Sequence, residues 1–208
     1  MTQPTSISLN AAPPATGAVR TQRVRVWDPL IRLFHWSLAT AVLIAFLTED
    51  ERLGIHLIAG YTVLALIAFR LVWGLVGSRH ARWSDFVRGP HTTLGYLKDA
   101  LRGRAARYLG HNPAGAVMVV ALLLGLTATG LSGLAVLGAS ELSGPLAPYL
   151  LGLSPGAVHR LEELHEVVAN LTVLLVPLHL LGVAFASWQH RENLVRSMID
   201  GTKRREAP

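Results

Sequence analysis

The chain has 208 residues, 51% of them hydrophobic and only 15% charged, with a formal net charge of +6. Soluble domains carry about 25% charged residues, so the deficit points to a membrane. Cysteine is absent, which excludes disulfides, thiolate metal sites, iron–sulfur clusters and covalently attached haem; the basic residues flank apolar runs, so topology explains them better than nucleic acid does.

Residues 1–25, rich in Ala, Pro, Thr and Ser and without the long apolar core of a secretory signal, read as a disordered cytoplasmic tail. Four runs of about the 20 apolar residues needed to cross a bilayer follow. They are Leu30–Leu47, Leu53–Val76, Pro113–Leu137 and Leu161–Trp188. The third has no charge at all, whereas the fourth carries Glu162, Glu163 and Glu166 near one end, which places that end at an interface. Between spans two and three, Trp83, Phe86, Leu94, Tyr96, Leu97 and Leu101 alternate with Arg and Lys. That pattern suits an amphipathic helix on the membrane surface, the plainer alternative being a solvated linker. Residues 201–208 form a polar C-terminal tail.

Loop charge sets the direction, because basic residues mark the cytoplasmic side. Arg20, Arg23, Arg25 and Arg32 precede or open span one. Seven Arg and Lys, from Arg79 to Arg107, lie between spans two and three, and Arg191, Arg196, Lys203, Arg204 and Arg205 follow span four. The acidic turn 48–52 and the loop 138–160 are poor in basic residues. The expected architecture is therefore an all-α integral membrane four-helix bundle with both termini cytoplasmic, its membrane domain covering residues 26–200.

Nine histidines occur. His80, His91, His111, His159 and His190 lie in loops or at span ends and read as solvated or interfacial; a cap or a headgroup contact suffices for His111. His35, His56, His165 and His179 lie inside apolar runs, where a polar side chain is costly and turns inward to a partner. Singly, each is equally well explained by a hydrogen bond to a neighbouring helix. Together they form a pattern. His165 and His179, 14 residues apart, return to within about 40° of one helix face and stand about 21 Å apart in depth. Span one places His35 on the inner side, and span two places His56 on the outer side. The depths pair His35 with His179 and His56 with His165.

Two facing imidazoles at each of two depths suit a six-coordinate haem, which takes two axial ligands from protein. A zinc site wants three or four close ligands. A proton relay wants acids through the midplane, which has none. Arg70, 14 residues after His56, shares that residue's face at the inner depth; it either snorkels to headgroups or meets an anion such as a haem propionate. Arg32, one turn before His35, is placed for a similar part. Gly60 and Gly182, near His56 and His179, leave gaps that suit a flat macrocycle or ordinary helix packing.

These segments also carry a family resemblance. Trp27-Asp28-Pro29-Leu30-Ile31-Arg32-Leu33-Phe34-His35-Trp36, His56-Leu57-Ile58-Ala59-Gly60-Tyr61 with Phe69-Arg70-Leu71-Val72-Trp73-Gly74, His111-Asn112-Pro113-Ala114-Gly115, and Glu163-Leu164-His165-Glu166 followed by His179 resemble the four helices of the prokaryotic cytochrome b561 family. That family is similar to the b-type cytochrome subunits of nickel–iron hydrogenases. The resemblance covers about residues 25–200. It implies two non-covalent b haems ligated by His35, His56, His165 and His179, in a respiratory protein of the bacterial inner membrane that exchanges electrons with quinone. Family members differ in partner: a hydrogenase, a dehydrogenase, a c-type cytochrome or none. Three functions follow as expectations. The first is transmembrane electron transfer between a redox partner and the quinone pool. The second is a membrane-anchor subunit of a hydrogenase or other periplasmic oxidoreductase, docking through loop 138–160. The third, of another class, is a haem-free ion or metal transporter.

Overall fold

A computed structural model describes residues 21–49 and 52–206. Four helices are long and apolar enough to cross a membrane: α1 (Pro29–Leu47), α2 (Leu53–Val76), α5 (Pro113–Ser140) and α7 (Pro155–Gln189). Between them lie short α3 (Trp83–Phe86), α4 (Pro90–Leu101) and α6 (Ala147–Leu150), with α8 (Leu194–Asp200) after α7. Strands β1 (Thr21–Arg25) and β2 (Thr202–Glu206) pair antiparallel, Thr21 facing Glu206 and Arg25 facing Thr202.

Proline starts all the long helices but α2, at a position where its missing N–H costs nothing. The Asp28 carboxylate caps α1 by accepting from the Ile31 amide at 2.9 Å, and Asn112 caps α5 through Gly115 at 2.7 Å. The fourth span begins six residues before the apolar run, because Ser154 and Pro155 supply a helix start that hydropathy ignores. Inside it, Pro177 deprives the Val173 carbonyl of its intrahelical donor, two residues before His179.

The tails also differ from expectation. Residues 21–25 and 202–206 form the ribbon, and residues 1–20 lie outside the described residues. Gly201 makes the junction possible. It is left-handed at φ 78°, its carbonyl accepts from the amides of Val26 and Trp27, and a Cβ there would come 2.7 Å from the Trp27 carbonyl. Both ends of the described chain thus lie at the same end of the bundle as the 77–112 connection.

Helix α4 matches the expected surface helix: Thr93, Tyr96 and Ala100 are buried, while Leu94, Leu97 and Leu101 face outward. The core joins α1, α2 and α5 through Ile31, Phe34, Ala41, Val63, Ile67, Leu123 and Leu126, closed below by Val26 and Trp27. Helix α7 stands apart from it. It packs along α5, without comparable packing on α1 or α2, and its buried residues are Thr172 and Ala186. Mid-span, Thr172 and Thr129 hydroxyls meet at 3.1 Å over Gly125, where a Cβ would collide with Thr172. A slot therefore separates α7 from the α1–α2 pair.

Candidate haem-binding sites

Histidine side chains reach into that slot from both walls. The His56 and His165 rings stand 6.3 Å apart between centres, perpendicular to each other. The His35 and His179 rings stand 6.4 Å apart, inclined at 51°. Both expected pairs are brought together. Nitrogen ligands sit about 2.0 Å from a bound metal, and the ring centre lies about 1 Å beyond, so two imidazoles across one iron need a centre-to-centre spacing near 6 Å.

Tautomers at the outer pair follow from hydrogen bonding. Histidine 56 donates Nδ1–H to the Ala45 carbonyl at 2.9 Å, an acceptor that can only accept. The Ser132 hydroxyl gives its proton to the Thr129 carbonyl at 3.0 Å, and so accepts Nδ1–H of His165, also at 3.0 Å. Each ring is left with an Nε2 lone pair for a metal, oriented by its outer-shell partner. Gly133 lies flat against His165, where a Cβ would come 3.0 Å from the ring. At the inner pair, Nδ1 of His35 is buried without a partner. A Cβ at Gly60 or Gly182 would meet nothing within 4 Å, so both glycines border open space. The spacing and these gaps fit a macrocycle at each level.

Cationic and aromatic groups crowd the inner pair. Arg70 is 2% exposed, lies 4.3 Å over the Trp83 ring and 5.8 Å from Phe86, and leaves Nη1 without a hydrogen bond. Trp83 reaches Arg70 only because residue 74 is glycine; a Cβ there would fall inside the indole. Arg32 is turned towards the end of α8, donating Nη1–H to the Ile199 carbonyl and leaving Nε unpartnered. Asp28 accepts from Ser78 at 2.5 Å and from Trp73 at 3.3 Å. Its burial favours the neutral acid, but these donors and the Ile31 amide outweigh that and hold the carboxyl below its ordinary value.

His111 departs from its expected place at an interface. It is buried between Trp27 at 4.8 Å and Phe86 at 4.7 Å, with Nδ1 unpartnered. Burial, followed by the charges of Arg70 and Lys203, pushes it down to about 3, so it is a neutral imidazole at physiological pH. Ser132 and the Ala45 carbonyl were not singled out by the sequence as partners; Ser132 is one of several hydroxyls in its span, beside Thr127 and Thr129, and nothing in the sequence marks it from them.

Among the described residues no three His, Cys, Asp or Glu converge as a metal-ion site would require. Comparison with curated proteins and with solved structures finds no match to the chain. The family model described as prokaryotic cytochrome b561 matches residues 26–201. The chain therefore belongs to the prokaryotic cytochrome b561 family, the b-type cytochromes of membrane electron transfer.

Proposed function

We propose that the protein is a di-haem cytochrome b that moves electrons across the bacterial cytoplasmic membrane, between a redox partner and the quinone pool. The observation carrying this reading is the pair of 6.3–6.4 Å histidine spacings at two levels of one slot. His56 and His165, with Nδ1 engaged in hydrogen bonds, would hold the outer haem, and His35 and His179 would hold the inner one. Arg70 and Arg32, whose Nη1 and Nε have no hydrogen-bond partner, would meet the inner propionates. The excess of basic residues at the β1–β2 end assigns that end to the cytoplasm.

Haem iron supplies the one-electron chemistry by alternating between ferric and ferrous states. The chain does the rest. His35 with His179, and His56 with His165, would each supply two imidazoles to a bound haem, which would disfavour oxygen binding there. Ser132 and Ala45 fix the outer rings so that little reorganisation accompanies electron transfer. The apolar walls of α1, α2 and α7 keep water from the cofactors.

The test is a dithionite-reduced-minus-oxidised spectrum with pyridine haemochrome quantitation on detergent-purified protein. Two low-spin b haems per chain are expected, falling to one in His179→Ala and one in His165→Ala. A folded, haem-supplied protein that binds none overturns the reading and favours the transporter alternative. Unchanged haem content in His179→Ala overturns the pairing.

A second reading, an anchor subunit for a hydrogenase or another periplasmic oxidoreductase, has one observation in its favour. Leu142, Tyr149, Leu151 and Leu153 lie in the 141–154 connection and are exposed, Tyr149 at 82%. Co-purification of one stoichiometric redox subunit, lost on replacing Tyr149 and Leu151 by Ser, supports it. A monodisperse lone chain that reduces quinone excludes it.

A further inference from the structure

Where α7 gives way to α8, the two helices frame an open groove of about 530 Å3. Its walls are apolar: Leu180, Val183, Ala184 and Trp188 on α7, and Val195 on α8. Leu180 and Arg191 stand about 16 Å apart along the helix axis, roughly half the thickness of a hydrocarbon core. The groove lies at the basic end of the bundle, beside β1 and β2. Trp188 is 77% exposed there, as an indole at a membrane–water interface is.

The mouth of the groove offers donors. Arg191 is exposed, and no carboxylate among the described residues pairs with it. Ser187 Oγ accepts from the Leu194 amide at 3.4 Å, which leaves its own O–H to donate. Asn193 spends Oδ1 on the Arg196 amide at 2.7 Å, which leaves its NH2. The one carboxylate in the lining, Glu192, accepts from Arg107 at 2.7 Å and faces Lys203 at 3.8 Å. Backbone geometry adds an independent observation. Arg191 holds φ 48°, a left-handed conformation that glycine adopts freely and arginine does not. Such strain clusters at ligand sites, where the surrounding structure maintains it. Here the left-handed turn brings α8 back against α7, with the Glu192 amide closing on the Ser187 carbonyl at 3.0 Å, and sets Arg191 at the mouth of the groove.

We infer that this groove binds one anionic phospholipid, with an acyl chain laid between α7 and α8 and the phosphate held by Arg191, Ser187 and Asn193. An apolar length ending in a cationic, donor-rich mouth matches an amphiphile whose head is negative and rich in acceptors. A quinone fills the same apolar length but brings a neutral ring, which leaves the guanidinium unpaired. A zwitterionic lipid brings an ammonium group for which the mouth has no uncommitted carboxylate. Helix α8 runs through Gly201 into β2, so a lipid held here also fixes the ribbon that closes this end of the bundle.

Native mass spectrometry of the purified protein, titrated with phosphatidylglycerol or with phosphatidylcholine of the same acyl chains, tests this. The first phosphatidylglycerol should bind at least about fivefold more tightly than the first phosphatidylcholine, which is what one basic side chain contributes beside an anionic surface. Arg191→Gln should remove that advantage. Lys98→Gln, an exposed cation on α4 outside the groove, should keep it. Ala184→Trp, which fills the apolar wall and leaves Arg191 in place, should weaken the first phosphatidylglycerol by a similar factor; if that variant does not fold, Arg191→Gln decides alone. Equal binding of the two lipids by wild type overturns the proposal, as does an advantage that survives Arg191→Gln. Equal loss in Lys98→Gln assigns the preference to the general basic surface and overturns it too. A bound quinone, or a dimer of the chain, that phosphatidylglycerol does not displace and Ala184→Trp removes gives the groove to another occupant.

Discussion

At the scale of single residues, the outer histidines are the better constrained. Ser132 is an acceptor at His165 because its own proton is committed to Thr129. Removing a partner of a metal-bound histidine costs about 10–100-fold in affinity. Ser132→Ala should therefore lose the outer haem preferentially on dilution or imidazole competition, with the inner haem retained; equal loss from both sites contradicts the assignment. His111 yields a pH dependence. Its folded value, about 3, lies below the ordinary 6.5 because of burial and then the charges of Arg70, Lys203, His179 and His35. A depressed histidine favours the folded state fully above pH 6.5, and that contribution is lost progressively as pH falls towards 3. His111→Phe should flatten the fall of thermal midpoint between pH 6.5 and 4; an unchanged slope would place the acid sensitivity elsewhere. Reading the sequence located the four paired histidines because depth in a helix is simple arithmetic. It missed Ser132 as a partner because that contact depends on the rotation of α5 about its axis. It also misjudged His111, whose burial is made by Trp27 and Phe86 from distant parts of the chain.

Among the elements, the four spans were legible because a bilayer demands about 20 apolar residues and punishes anything else. The β1–β2 ribbon was not. Its partners lie at opposite ends of the chain, and strands such as Lys203-Arg204-Arg205 carry no apolar alternation. The end of α7 is strained in a way that can be measured. Arg191 sits at φ 48°, in the left-handed region, while the Glu192 amide closes back on the Ser187 carbonyl at 3.0 Å. This is the helix-ending turn that glycine usually occupies. A left-handed non-glycine residue costs about 1–2 kcal/mol, offset by up to about 1 kcal/mol from the extra freedom of glycine in the unfolded chain. Arg191→Gly should thus stabilise by about 0.5–1 kcal/mol. Arg191→Ala, which keeps the strain and loses the charge, should not. Thermal unfolding of both variants in one detergent decides it, and equal midpoints would mean that the turn relaxes around any residue.

For the whole molecule, the uneven packing of α7 determines how the bundle is held together. Helices α1, α2 and α5 share one core, but α7 packs mainly along α5, through Thr172, Gly125 and Thr129. On the opposite wall, the side chains that approach one another are histidines, 6.3 and 6.4 Å apart between ring centres. On the proposed ligation a haem would join α1 or α2 to α7, so that cofactor binding would become assembly of the bundle. A ligand that binds only the folded state stabilises it by about 2.7 kcal/mol when present at 100 times its dissociation constant. Haem-free protein should therefore unfold at a lower temperature than holoprotein, and added haem should restore the midpoint in a concentration-dependent way. Protease should cut the 141–154 connection faster in the haem-free form, because α7 has then lost its ties to α1 and α2. His35→Ala and His165→Ala, each removing one tie, should fall between the two extremes. If haem-free and holoprotein melt together and are cut at the same rate, the α5 contact alone holds α7, and the histidine slot contributes to electron transfer but not to the fold.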